Sequence, residues 1–427
     1  MTSSSRPAAP AAIRTQVTIE RIVAGGYGLA RTPDGVALVR GAMPGERVVA
    51  NLRRAKGTLT GDVVEILEAN PYRDPRPLPP GADLPLAYDA QIDVKEGIVR
   101  DALQRVAGVR ADLQPLQTSP QPLGYRTAAQ YGVMRDGGLG AHATGSRALV
   151  ALNEDPLVAE PVADAFRILS SQPMPGVRDV AIRGSLHEDR AVVGLLGEQR
   201  GPYERIARRL VDAGVAGVAW GLRTPGAARF SAASKILAGE GDLLDDFGGI
   251  LASVSARSFA QINPLAAGLL YRESGAIAGD GKRAIDLYAG SGVLALHLVQ
   301  RFDRVDAIEI SSDAVKRGQN DARRLEAHGL TFRRGDARTV ARYLPADLVA
   351  VNPPRAGIDA ATMAALTKAA PPKILYVSCD PPTWARDVGT MIAAGYSLTF
   401  ARPYDFYPYT HHVEMLSLLE RPAAAAR

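Results

Sequence analysis

Six positions in the C-terminal third carry side chains that could do chemistry together: Asp286, Glu309, Asp336, Asn352, Cys379 and Glu414. The first opens Asp286-Leu287-Tyr288-Ala289-Gly290-Ser291-Gly292, which ends a strand-like run and leads straight into a helical one. Glycines such as Gly290 and Gly292 let a chain turn tightly and approach a ligand, and Glu309, closing the next strand-like run, is placed to hydrogen-bond a ribose. That pattern alone fits NAD, FAD, S-adenosylmethionine or plain tight packing. Asp336, in Arg334-Gly335-Asp336-Ala337, adds an acid able to accept from an adenine amino group, and Asn352-Pro353-Pro354-Arg355 adds a fourth polar strand end. Polar groups at four successive strand ends suit a nucleoside without a pyrophosphate, hence S-adenosylmethionine rather than a dinucleotide. Cys379 follows the next apolar run. A lone cysteine is ordinarily a small buried hydrophobe. At the ligand edge of a sheet, one element beyond the Asn-Pro-Pro loop, its thiolate would lie within reach of a methyl donor.

The elements that must position these residues follow from periodicity. After residue 280, strand-like AIDLYAG, RVDAIEI, ADLVAVN and ILYVSC alternate with helical ALHLVQRF, DAVKRGQNDARRLEAHG and AATMAALTKAA. Strict alternation predicts a doubly wound, Rossmann-like α/β sheet whose ligands sit at the carboxyl ends of its strands. Residues 13–70 alternate in short runs (VALVR, RVVANL, GDVVEIL) spaced by turn signals, which predicts a small OB-like β-barrel of about five strands. The Pro-rich stretch NPYRDPRPLPPGADLP (70–85) reads as a linker. A helix is expected over about 88–108, packed on the catalytic domain. The organisation is therefore a disordered tail over 1–12, the barrel over 13–70, a mixed α+β domain over 71–251 and the α/β domain over 252–427. No catalytic constellation shows between 119 and 251.

Composition narrows the class. With 46% hydrophobic and 22% charged residues, the 427-residue chain is that of a globular protein with a full-sized core. Its single cysteine cannot make an intramolecular disulfide, a tetracysteine zinc site or a cysteine-ligated cluster. The net charge of +5 hints at a polyanionic partner, but only seven of the 50 basic residues are Lys. An Arg- and Ala-rich skew also follows from a GC-rich genome. MTSSSRPAAPAA lacks the apolar stretch of a secretory signal, and no run reaches the ~18 apolar residues of a spanning helix, so a cytoplasmic, membrane-free protein is expected.

The order DLYAGSG, IEIS, GDA, NPPRAG, YVSCDPPTWARDV and YDFYPYTHHVEML resembles the RNA uracil 5-methyltransferases, the family of the tRNA and 23S rRNA 5-methyluridine enzymes. The likeness extends upstream through SFAQIN, YRTAAQY and YDAQIDVK, and the barrel resembles a TRAM domain. It implies Cys379 as nucleophile and Glu414 as base, with Gln261, Asp286, Tyr288, Gly290, Gly292, Glu309, Asp336 and Asn352 at the S-adenosylmethionine site. Two departures stand out. Many members carry four cysteines that ligate an iron-sulfur cluster, whereas GADLPLAYDAQ and NEDPL here contain none, so no metal is expected and packing must hold that region. The usual Asp-Pro-Pro-Arg begins with Asn352, which loses a charge and gains a donor.

The chemistry implied is addition of the Cys379 thiolate to uracil carbon 6, methylation at carbon 5, proton removal by Glu414 and release of the thiolate. His411 and His412 are rival bases. The target must leave its stack to be attacked, so loops or flipped bases are the expected substrates. Tyr27, Arg31, Arg53, Arg54 and Lys56 on the barrel, with Arg355 near the site, are the candidate RNA contacts. The partner expected is RNA, 23S rRNA ahead of tRNA because the barrel is an added RNA-holding module, met by a monomer. The alternatives are an amino-group methyltransferase using the Asn-Pro-Pro loop and a non-catalytic RNA-binding adaptor. A 5-methylcytosine enzyme would be expected to use two cysteines.

Overall fold

The computed structural model describes residues 12–55, 57–143, 148–222 and 234–421. Short alternating runs near the N-terminus become a curled six-stranded sheet: β1 (Ile13–Thr18), β2 (Arg21–Val23), β3 (Tyr27–Thr32), β4 (Gly35–Arg40), β5 (Arg47–Ala55) and β6 (Thr58–Glu68), in the order β1-β5-β6-β4-β3-β2. The sequence expectation of about five strands is one short. At three residues, β2 is too brief for a period of two to show. Inward residues Val17, Ala30, Val39, Val48, Ala50 and Leu52 form the core of this sheet. Ile22 and Met43 instead pack on Leu84, Leu86 and Ile98, and Arg21 donates to Asp101 over 2.8 Å. The barrel thus docks on helix α1 (Tyr88–Ala102) and on the segment leading into it, where Leu84 and Leu86 are buried.

A second sheet of seven strands occupies the middle of the chain: β7 (Ala128–Val133), β8 (Leu139–His142), β9 (Leu149–Ala151), β10 (Val177–Ser185), β11 (Arg190–Gly197), β12 (Gly217–Leu222) and β13 (Lys235–Gly239). Helices α2 (Glu160–Ser170) and α3 (Tyr203–Asp212) cover it through Val162, Phe166, Leu169, Ile206 and Leu210. A hairpin follows, β14 (Leu243–Asp246) with β15 (Leu251–Val254), and it buries Leu243, Ala252 and Val254 in the C-terminal core. The boundary expected at residue 251 falls inside this hairpin, which packs its apolar residues into the C-terminal core while Leu244 and Asp245 hydrogen-bond to residues 186–188 beside the central sheet.

That unit alternates as the sequence predicts: α4 (Pro264–Ala278), β16 (Gly281–Leu287), α5 (Val293–Leu298), β17 (Phe302–Glu309), α6 (Ser312–Arg324), β18 (Leu330–Arg334), β19 (Leu348–Val351), α7 (Ala360–Ala369), β20 (Lys373–Ser378), α8 (Pro381–Ala393), β21 (Ser397–Tyr404) and β22 (Glu414–Glu420). The sheet order is β18-β17-β16-β19-β20-β22-β21, with β22 running antiparallel to both β20 and β21. Alternate strand residues feed two cores. Ala284, Val305 and Ala350 face α4, α5 and α6, while Ile285, Ile308 and Val349 face α1, α7 and α8. Helix α1, far earlier in the chain, completes one layer on the C-terminal sheet through Val99 and Ala102. The order reverses between β16 and β19, which opens a crevice at their carboxyl ends.

Candidate active site

The first wall of that crevice is the loop after β16. Tyr288, Gly290 and Gly292 adopt left-handed backbone at φ 59°, 57° and 79°. Gly292 and Gly318 are needed for packing, because a Cβ on either would run into the Phe332 ring. Gly290 differs: a Cβ there would meet nothing within 4 Å, so this turn borders open space where a ligand can approach. Glu309 lies alongside, accepting from the Gly290 N–H at 2.9 Å and from the Ser311 N–H at 2.7 Å. Tyr288 donates its hydroxyl to Asp359 at 3.1 Å. Asn352 follows β19 and donates its backbone N–H to the Leu287 carbonyl at 3.4 Å.

The carboxylates around the crevice fall into two kinds. Asp336 is bound by its neighbour Arg338, whose side chain and backbone N–H hold it down to about 2. Asp286 is buried and neither of its oxygens makes a hydrogen bond. Burial first, then the charge of Glu309, pushes it up to about 8. Gln261, also buried, leaves its side-chain oxygen without a partner while its carbonyl accepts from Arg183 at 3.2 Å. Buried polar atoms left open in this way are costly unless something else satisfies them.

The second wall holds the thiol. Ser378 pairs with Met415 across antiparallel β20 and β22, so one further step sets Cys379 beside Glu414. Cys379 is half-buried, and burial, then the negative charge of Glu414, pushes its thiol up to about 11, with Arg355 opposing. Glu414 is buried, its Oε2 has no partner, and burial pushes it up to about 8, again against Arg355. Asp380 caps α8, accepting from the Thr383 N–H at 2.9 Å and its hydroxyl at 2.7 Å, which fixes the turn that presents the thiol. The two histidines are otherwise engaged. His411 Nδ1 lies 2.6 Å from Asp83, and His412 Nε2 lies 3.3 Å from the Arg355 guanidinium. Burial, then His411, holds the His412 ring neutral, down to about 3.

Sequence reasoning missed the strap over residues 405–413 that joins β21 to β22. Lys95 donates to Asp405 at 2.5 Å and to the Tyr407 carbonyl at 3.0 Å. Gln91 accepts from the Tyr409 N–H at 2.6 Å, and the Tyr125 hydroxyl donates to the Pro408 carbonyl at 3.0 Å. The signal was present in YDAQIDVK, where Gln91 and Lys95 stand four apart on one helix face. Beside the strap, Tyr125, Leu157 and Tyr409 form an apolar cluster joined by Leu78, Ala82, Leu123 and Ile262. Hydrocarbon contacts therefore join the two stretches that lack the cysteines.

The barrel's candidate contacts are not gathered at the thiol. Arg31 pairs with Glu20 at 3.1 Å, Arg54 donates to the Asp34 carbonyl at 3.0 Å, Tyr27 lies under the Arg40 guanidinium, and Arg53 is exposed. Lys56 lies outside the described residues. The barrel does reach the site through its Gly25-Gly26 turn, where a Cβ on Gly26 would stand 2.7 Å from Asp83 Oδ2 and 2.8 Å from His411 Nδ1.

Residues 255–422 match the family model of the tRNA (uracil-5-)-methyltransferases. An uncharacterised RNA methyltransferase of Halalkalibacterium halodurans is 31% identical over 95% of this chain and 96% of its own length. Another, of Gloeobacter violaceus, is 30% identical over 97% and 99%. The chain belongs to this RNA methyltransferase family. Its fold matches that of the Pyrococcus abyssi tRNA (uracil-54, C5)-methyltransferase, solved with S-adenosyl-L-homocysteine, at a TM-score of 0.76 and 21% identity over 95% of this chain and all of that one. The methyltransferase contains no helix, among the described residues, long and apolar enough to cross a membrane.

Proposed function

We propose that this methyltransferase transfers a methyl group from S-adenosylmethionine to carbon 5 of a uridine in RNA through a covalent Cys379 adduct, with Glu414 as general base. The observation that carries the reading is the thiol beside a buried carboxylate with an open oxygen, at the strand end next to the Gly290 crevice.

The crevice fits the cofactor. Asp286 and the Gln261 side-chain oxygen are buried acceptors awaiting donors, and the open side of Gly290 leaves room for a ligand at the backbone. Glu309, Asp336, Tyr288, Gly292 and Asn352 complete the binding set we assign, with Glu309 and Asp336 exchanging their present bonds for ligand hydroxyl and amino groups. S-adenosylmethionine, when bound, supplies the electrophilic methyl group that carbon 5 takes up.

The chain's own residues do the rest. The Cys379 thiol loses its proton to solvent, the thiolate sulfur forms a bond to carbon 6, and the pair of the carbon 5–carbon 6 double bond moves onto carbon 5 as the enolate. After methylation, Glu414 takes the proton from carbon 5, the pair returns to the ring, and the carbon–sulfur bond breaks. A carboxylate raised toward neutrality suits this step, because a base works best with a pKa near the operating pH. The Asp83 and Arg355 contacts of His411 and His412 favour orientation roles for the two rings.

Arg355, exposed at the lip, and the barrel cations Arg31, Arg53, Arg54 and Lys56, with Tyr27, are the RNA contacts we propose, on a barrel of TRAM type in a cytoplasmic monomer. We place no iron-sulfur cluster in it. The barrel was the reason to favour 23S rRNA over tRNA. The tRNA enzyme aligns over 95% of this chain, so the barrel does not separate the two substrates. The test is methylation of ribosomal and transfer RNA from a deletion strain by the purified enzyme, with nucleoside mapping. One new 5-methyluridine supports the reading, and a methylated cytosine or amino group in its place sinks it.

A further inference from the structure

The strap over 405–413 has no regular secondary structure and yet is largely buried, so its backbone groups must find partners elsewhere. Four consecutive carbonyls do so from four separate segments. Phe406 accepts from the Asn263 side chain at 3.2 Å, Tyr407 from Lys95 at 3.0 Å, Pro408 from the Tyr125 hydroxyl at 3.0 Å, and Tyr409 from the Leu84 N–H at 3.1 Å. The Tyr407 carbonyl also accepts from the Thr410 N–H and hydroxyl, and its donor from α1 is a charged one. Lys95 and Asp405 are both completely buried, and Asp405 also accepts from the Tyr407 N–H at 3.1 Å. Asp405 Oδ2 has no partner.

A buried ion pair is a poor way to gain stability, because desolvation consumes most of the attraction and well-packed apolar residues often do as well. What it does fix is geometry. The pair grips Asp405 and both the N–H and the carbonyl of Tyr407, at the point where the chain leaves β21. Eight residues after Asp405 the chain has reached Val413, and Glu414 follows as the first residue of β22. Along the way the Tyr407 ring stands edge-on to His412 with centroids 5.8 Å apart, and His412 meets Arg355. Tyr407 is also close enough to Glu414 and Cys379 for their charges, after burial, to keep its phenol protonated.

We propose that Lys95 is a positioning residue for methyl transfer: through Asp405 and the Tyr407 carbonyl, it sets the course of the strap that places Tyr407, His412 and Glu414 around Cys379. It touches neither RNA nor cofactor. The inference rests on the chemistry assigned above to Cys379 and Glu414. Nothing in the sequence neighbourhood of the thiol announces it, since Lys95 and Asp405 lie 310 positions apart.

The experiment compares wild type with Lys95→Met and with the double variant Lys95→Met/Asp405→Leu, which refills the pair with apolar atoms. Melting temperature, RNA and cofactor affinity, and single-turnover methylation are read for each. Lys95→Met should lower kcat about 100-fold, the scale of a misplaced catalytic group, with both affinities held within about threefold. The double variant should regain the melting temperature and not the rate, since the Tyr407 carbonyl, left to the neighbouring Thr410, is no longer tied to α1. A double variant that regains both, or a folded Lys95→Met with wild-type kcat, overturns the proposal. If neither variant folds, Asp405→Asn keeps the shape and one acceptor and decides: a loss of about tenfold in kcat supports the assignment and wild-type kcat overturns it. Wild type also serves as the control on the underlying reading. If it forms no 5-methyluridine, the chemistry is wrong; if it does and the variants match it, only the role of Lys95 is.

Discussion

The two walls of the active site are held in different ways. On the wall we assign to the cofactor, Asp286, Glu309 and Asn352 sit at or just beyond the ends of neighbouring parallel strands, and the register of β16 against β17 and β19 places them. On the thiol wall, Glu414 opens an antiparallel strand, and the strap before it is fixed by Leu84, Lys95, Tyr125 and Asn263 from elsewhere in the chain. A wall built from local repeats can vary its side chains without losing its backbone. A wall built from distant donors depends on each of them.

The sharpest test of that contrast is at the thiol. Cys379→Ala should abolish product, a loss on the order of 10⁴ or more, and form no denaturation-resistant complex with RNA, while cofactor binding persists. Residual 5-methyluridine would rule out the covalent route. Next in size, Glu414→Gln should slow turnover by about 10² to 10⁴ and let a methylated RNA–protein adduct accumulate on denaturing gels. Breakdown of the methylated adduct, read apart from thiol attack, should quicken between pH 7 and 9, because a group raised to about 8 ionises across that window. The Gln variant should lose that step, and an unchanged profile would move the base to a histidine or a water.

On the cofactor wall the expected effects are smaller and partly of opposite sign. Asp286→Asn should weaken S-adenosylmethionine binding about tenfold, the value of one charge-assisted hydrogen bond. It should also stabilise the free protein in alkali. The folded carboxyl is raised to about 8, far above its unfolded value near 3.9, so its stabilising protonated state is complete below the unfolded value and lost as pH rises through 8. Above that, an amide removes a cost of about 1 to 3 kcal/mol, measurable as a higher melting temperature at pH 9. A lower one would mean that the carboxylate has a partner when folded. Asn352→Asp should be mildest, within about tenfold of wild-type activity, and a loss of three orders of magnitude would show that the neutral amide is required.

Legibility from sequence divides along the same line. The strand and helix runs after residue 280 were readable because each buried face repeats at its own period, and the polar residues fall where the apolar run stops. Cys379 and Glu414 were singled out one by one, but that they sit side by side is a matter of β22 inserting antiparallel next to β20, which no local pattern encodes. Lys95 looked like one more polar position on an amphipathic helix, although it is completely buried. The stretch from 119 to 251, where the sequence shows no catalytic constellation, still supplies Tyr125 and Arg183, and both hold backbone beside the site. Their donors act on carbonyls, and carbonyls leave no trace in residue identity.

The single thiol gives the protein a built-in gauge. Cys379 is half-buried and the only cysteine in 427 residues, so any sulfhydryl reagent that labels the intact chain labels the proposed nucleophile with no background. Because the proton is held on sulfur up to about 11, alkylation of the free protein at neutral pH should be slow. Whatever activates the sulfur, whether RNA, cofactor or both together, will appear as faster labelling by mass spectrometry, without any turnover having to occur.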